Sequence, residues 1–153
     1  MIQTVIDLLT EARLRELEAI DQYMIHHDEL ENKDLGKLAS QIKEIAIAKV
    51  KHAEKLAERI LFLKGEPISE TDPTSKKGQE IPEMLATDVA LERRAVKMYN
   101  EAAAICASEK DQKSKDLFDE FLSDEEDHLN FFEKVEDHVN KLGAADIATL
   151  TGK

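Results

Sequence analysis

Residues 83–142 read EMLATDVALERRAVKMYNEAAAICASEKDQKSKDLFDEFLSDEEDHLNFFEKVEDHVNKL, sixty positions without a glycine or a proline. One straight helix of that length would span ~90 Å, too long for a domain of this size. The polar run SEKDQKS at 108–114 is the natural break, with Ser108 or Asp111 as the cap of the second piece. The spacing therefore predicts helices over about 81–107 and 112–142. Pro82 suits the first turn of the former, and Gly143 ends the latter.

Working outward, residues 66–80 (EPISETDPTSKKGQE) are the only long stretch of turn formers and read as a surface crossover. Before it lie two more helices. The first, 2–34, runs into the polar ENKDLG; the second, 37–64, stops at Lys64-Gly65 with Pro67 close behind. Beyond Gly143, residues 144–150 form a candidate short terminal helix. The expectation is all-α: one domain over 1–153, a four-helix bundle with a single long connection between its second and third helices. Composition agrees, with 35 % charged and only 5 % aromatic residues, five glycines and three prolines. Sheet proteins use more β-branched, aromatic and turn residues than this.

Charge and cysteine content narrow the partners. Thirty-three acids against 21 bases give a formal charge of −12, which repels a phosphate backbone and argues against nucleic acid. The single Cys106 excludes an intramolecular disulfide and a CxxC clamp, and reads as a small core residue. No apolar run approaches the ~20 residues of a membrane span. The N-terminal MIQTVIDLLTEARLREL lacks the basic region and cleavage site of a leader. A cytoplasmic protein without membrane contact is expected.

The two halves repeat. At an offset of 76, Glu16-Leu-Glu-Ala-Ile-Asp-Gln-Tyr23 falls on Glu92-Arg-Arg-Ala-Val-Lys-Met-Tyr99, and these hold the only two tyrosines. Ile42, Ile45, Lys49, His52 and Leu56 fall likewise on Phe118, Phe121, Glu125, His128 and Phe132. Two hairpins about a pseudo-twofold axis are expected. The repeat also isolates a site. Val5, Leu9, Ala12, Glu16, Ala19 and Tyr23 share one helical face, and so do Ile81, Leu85, Asp88, Glu92, Ala95 and Tyr99. With the equivalent stripes of the other helices, Glu16, Lys49, His52, Glu92, Glu125 and His128 all point inward. Unpaired buried charge costs several kcal/mol, so the cluster must hold its own compensation. Two solutions exist: metal cations held by the carboxylates and imidazoles, or an internal salt-bridge network. Oxygen and imidazole donors suit iron, manganese or zinc.

Glu16, EAIDQY (18–23), KHAEKLAERILFLKG (51–65), Leu91-Glu92 and SDEEDHLN (123–130) together resemble the ferritin-like di-iron proteins and, within them, bacterioferritin. The similarity covers about residues 3–142. It implies metal ligation by Glu16, position 49, His52, Glu92, Glu125 and His128, with Tyr23 as the tyrosine beside the site. Position 49 departs from that pattern: it is Lys where both the family and the internal repeat call for Glu. Position 50, which carries the haem-ligating Met in bacterioferritin, is Val50, so no haem is expected. Four carboxylates balance two divalent cations; three carboxylates with one ammonium balance one.

The resemblance implies Fe(II) oxidation by dioxygen or peroxide and iron storage in an oligomeric shell, with one or two ions per subunit and an altered site. Tyr23 and Tyr99 either donate electrons or hydrogen-bond to the carboxylates. The alternative is a non-catalytic structural or regulatory subunit with a metal-free Lys49–carboxylate network, assembled with a catalytic paralogue. A third is a ferritin-like oxidoreductase with another metal or substrate. Self-association is expected in sizes from a dimer to a many-subunit shell. His26, His27 and His138, near helix ends, are expected in solvent. The acidic stretch near 116–127 reads equally as a cation-attracting surface or a solvated helix face.

Overall fold

The computed structural model describes residues 1–71 and 74–144. It contains four helices: α1 (Ile2–Asn32), α2 (Gly36–Phe62), α3 (Ile81–Ser108) and α4 (Gln112–Leu142). The expected short helix at 144–150 lies almost wholly outside the described residues. Among the described residues, no helix is long and apolar enough to cross a membrane.

Helix ends follow local chemistry. Asp111 caps α4 by accepting from the Ser114 backbone N–H at 3.0 Å, deciding between the two expected caps. Arg59 of α2 donates to Asp111 at 2.8 Å and to Ser114 at 2.9 Å, tying the end of one helix to the start of another. Glu80 and Glu83 form a reciprocal capping box on α3, with Pro82 in its first turn as expected. The first three helices end on left-handed residues that are not glycine: Asp34, Lys64 and Lys110. Gly65 itself follows the left-handed Lys64. There a Cβ would come within 2.9 Å of both Ile6 and Ile60, so glycine serves close packing instead of the turn.

Pairings fix the topology. Contacts such as Arg13–Ala53 and Lys49–Glu16 run α1 antiparallel to α2, and Arg93–Glu133 does the same for α3 and α4. The crossover touches α1 at Arg13 (Ile68 O, 2.6 Å), at Gln22 (Lys76 N and O, 2.8 and 2.9 Å) and at Glu29 (Gly78 N, 2.7 Å). It delivers α3 to the far end of α1, so those two helices are also antiparallel. Two apolar clusters result. One holds Leu30, Leu38, Ile42, Leu85 and Val135; the other holds Val5, Leu9, Leu56, Ile60, Cys106 and Phe118. Between them lies the polar centre of the bundle.

Candidate metal centre

All six inward residues of the sequence reading meet there. Glu16, Lys49, His52, Glu92 and Glu125 are each at most 3 % exposed. His128 sits at the margin, its side chain 13 % exposed. Each helix contributes through its buried stripe: Glu16 from α1, Lys49 and His52 from α2, Glu92 from α3, Glu125 and His128 from α4.

Lys49 occupies the middle. Its Nζ lies 2.5 Å from Glu125 Oε2, 3.1 Å from Glu92 Oε2 and 3.3 Å from Glu16 Oε1. Burial works against the ammonium, but the three carboxylates outweigh it and its pKa rises. Lys49 is therefore charged. Burial, helped by the adjacent Glu125 carboxylate, pushes Glu92 up to about 7 although the Lys49 ammonium pulls the other way. Glu125, nearest the ammonium, stays well below the usual carboxylate range despite its burial.

His52 faces acids on both sides. Nδ1 is 2.8 Å from Glu16 and 3.2 Å from Glu125, while Nε2 is 2.8 Å from the half-exposed Asp124. Burial lowers its basicity, yet the neighbouring carboxylates of Glu125, Glu16 and Asp124 raise the pKa to about 10. Phe121 stacks on the ring with centroids 4.0 Å apart. His128 Nδ1 comes no nearer than 3.5 Å to Glu92 and 3.7 Å to Glu125, and its pKa still rises to about 9 against burial. Three carboxylates thus face three basic groups, and the cluster approaches neutrality with no added cation.

The tyrosines differ. Tyr23 donates to Glu92 Oε2 at 2.5 Å, whereas the buried Tyr99 hydroxyl has no hydrogen-bond partner. Burial and the adjacent carboxylates push both phenols well above their ordinary pKa. Three further atoms of the cluster lack hydrogen bonds: Glu92 Oε1, Glu125 Oε1 and His128 Nδ1. Glu92, Glu125 and His128 also bring ligand atoms within 4.8 Å of one another, as do Glu16, His52 and Glu125. In the former trio, Glu92 Oε1, Glu125 Oε1 and His128 Nδ1 could hold a divalent cation. Lys49 reaches the acids of both trios, so the difference lies in the imidazoles: His52 is held by Glu16 at 2.8 Å, whereas His128 has no acid nearer than 3.5 Å among the described residues.

One expectation is corrected. His26 is not in solvent but fully buried, its Nδ1 at 2.9 Å from the buried Asp88 and its Nε2 at 2.9 Å from Gln79. The reason is the crossover, which folds over this end of α1. The signal was present in the rhythm: continuing the stripe past Tyr23 by three and four lands on His26 and Leu30. His27 and His138 are half-buried, not free in water. Asp124, which anchors His52, stood just off the stripe and was also missed.

The chain matches the ferritin-like domain family over residues 6–142. Bacterioferritin of Desulfovibrio desulfuricans is 35 % identical over 148 residues, covering 97 % of this chain and 83 % of that protein. Bacterioferritin of Brucella melitensis is 38 % identical over 139 residues, 91 % of this chain and 86 % of the relative. Among solved structures, the D. desulfuricans bacterioferritin, described with a diiron site in different catalytic states, superposes with a TM-score of 0.93 at 34 % identity over 99 % of this chain and 89 % of that one. Rhodobacter capsulatus bacterioferritin, described with a metal-free dinuclear site and haem iron, gives 0.91 at 36 % identity over 99 % and 94 %. With the four-helix architecture and the central acid–imidazole cluster, these likenesses show that the chain belongs to the bacterioferritin family.

Proposed function

We propose that this chain is an iron-storage subunit of the bacterioferritin type that handles Fe(II) at one divalent-cation position per subunit instead of two. The observation that carries the reading is the Lys49 ammonium, within 3.3 Å of Glu16, Glu92 and Glu125. An ammonium has no lone pair to offer, and it brings a single positive charge into the space between three acids. It thereby takes the electrostatic part of one cation while removing a bridging carboxylate.

The remaining position is Glu92, Glu125 and His128, supported by their three buried atoms without hydrogen bonds. A mixed oxygen and nitrogen donor set suits Fe(II), with manganese and zinc as competitors. Each Fe(II) held there would give up one electron, so two such oxidations, with two protons from solvent, would reduce one dioxygen to hydrogen peroxide or one peroxide to water. The protein's own part is to bind and orient. Glu92 and Glu125 favour the higher charge of the oxidised ion, His128 gives up its proton to coordinate, and Tyr23 holds Glu92 through its 2.5 Å bond. Phe118, Phe121 and Phe132, all fully buried, keep the surroundings dry. Mineral deposition follows inside a shell of many copies. Val50 has no thioether with which to ligate a haem at that position.

Anaerobic titration with Fe(II) tests it. Saturation at one ion per subunit, rising to two in Lys49→Glu, is the expected outcome. Two tightly bound ions in the unaltered protein would overturn it. The balance of three acids by three bases favours a second reading, a metal-free structural subunit that assembles with a catalytic paralogue. No saturable binding in the titration, with a dimer instead of a shell on size-exclusion chromatography, would select that reading.

A further inference from the structure

The internal repeat places Asp124-Glu125 of α4 on Ala48-Lys49 of α2, so the second half carries two adjacent carboxylates where the first carries none. Lys49 accounts for one of the two differences. The other concerns the histidines. His52 is gripped at both nitrogens: Nδ1 by Glu16 at 2.8 Å, and Nε2 by Asp124 at 2.8 Å. Its side chain is 4 % exposed, with Phe121 stacked against it. His128, the repeat mate of His52, has no such grip. Its Nδ1 makes no hydrogen bond, its Nε2 meets no carboxylate among the described residues, and it is 13 % exposed. Under the pseudo-twofold, the residue that braces His52 corresponds to Ala48, whose methyl group can brace nothing.

Carboxylate partners behind a ligating imidazole fix its orientation, and their loss typically costs 10–100-fold in metal affinity. We infer that Asp124 is a positioning residue for His52, and that Ala48 leaves His128 unbraced. Any divalent cation held by Glu92, Glu125 and His128 is then an exchangeable passenger and not a permanent occupant. The inference rests on the one-position reading above, but its first test needs no metal.

In the metal-free full-length protein, nitrogen-15 NMR of the imidazoles should show His52 rigid, with slowly exchanging ring N–H protons. His128 should show motional averaging and fast exchange. Ala48→Asp should order His128 in that spectrum, and should slow release of bound Co(II) to a chelator about tenfold or more. Asp124→Ala is the mirror variant and should loosen His52 while leaving His128 as it was. A His128 already as ordered as His52 would overturn the inference. So would an Ala48→Asp protein, folded by circular dichroism, in which neither the spectrum nor the release rate moves. If Ala48→Asp fails to fold, the unaltered protein's His52–His128 contrast and the Asp124→Ala spectrum decide the matter. Failure of the one-position reading looks different: two bound Co(II) ions per subunit with the imidazole contrast intact.

Discussion

Lys49 and Glu125 stand 76 positions apart, at equivalent places in the two halves of the chain, and their Nζ and Oε2 atoms meet at 2.5 Å. The pseudo-twofold thus pairs an ammonium with a carboxylate where symmetry would set like against like. Two facing carboxylates would repel and require cations; this pair attracts and satisfies itself. Much of the chemistry of the bundle centre follows from that asymmetry.

Removing the ammonium should cost stability before it changes metal binding. In metal-free Lys49→Met, Glu16, Glu92 and Glu125 lose their shared counter-charge. Breaking a buried ion pair from one side typically costs about 3–5 kcal/mol. Urea denaturation of the metal-free protein measures it. A loss under about 1 kcal/mol would mean that the histidines alone compensate the acids.

Stability of the metal-free protein should fall as pH rises from 6.5 to 10. His52 and His128 have folded pKa values of about 10 and 9, above their ordinary 6.5. The stability they contribute is complete below pH 6.5 and is lost as pH climbs through 9 and 10. Glu92, at about 7 against 4.5, acts in the same direction at lower pH. Melting temperatures at pH 6.5, 8 and 9.5 test this, and a flat or rising series would contradict it.

Divalent-cation affinity should move the opposite way. His128 must shed the proton it holds up to about pH 9 before it can coordinate. Apparent affinity should therefore increase between pH 6 and 9, by up to about tenfold per unit where one proton is displaced. Competition against a colorimetric chelator reads it out; pH-independent affinity would remove His128 from the ligand set.

The two tyrosines should answer mutation unequally. Tyr23→Phe deletes a 2.5 Å bond to a buried carboxylate, and hydrogen bonds to charged groups contribute about 1.5–3 kcal/mol. Tyr99→Phe deletes a hydroxyl that bonds to nothing and should cost far less. Equal losses in chemical denaturation would contradict the geometry.

The helices and the inward cluster were legible because glycine, proline and the 76-residue repeat mark them directly. Glu16, Lys49, His52, Glu92 and Glu125 reach the centre because each lies on its helix's apolar stripe, a pattern internal to one helix. His26 escaped because its burial comes from another segment: the crossover lays Gln79 over it and α3 brings Asp88 beneath it. Asp124 escaped for a related reason, since only the neighbouring helix turns a half-exposed acid into a partner for His52. Periodicity reports which way a residue faces, not what arrives to meet it.

The most direct test is an anomalous difference map at the iron edge from crystals soaked anaerobically in Fe(II). One peak per subunit among Glu92, Glu125 and His128, with Lys49 still among the carboxylates, is the predicted result. Two peaks, one of them between Glu16 and His52 with the Lys49 side chain displaced, would contradict the account.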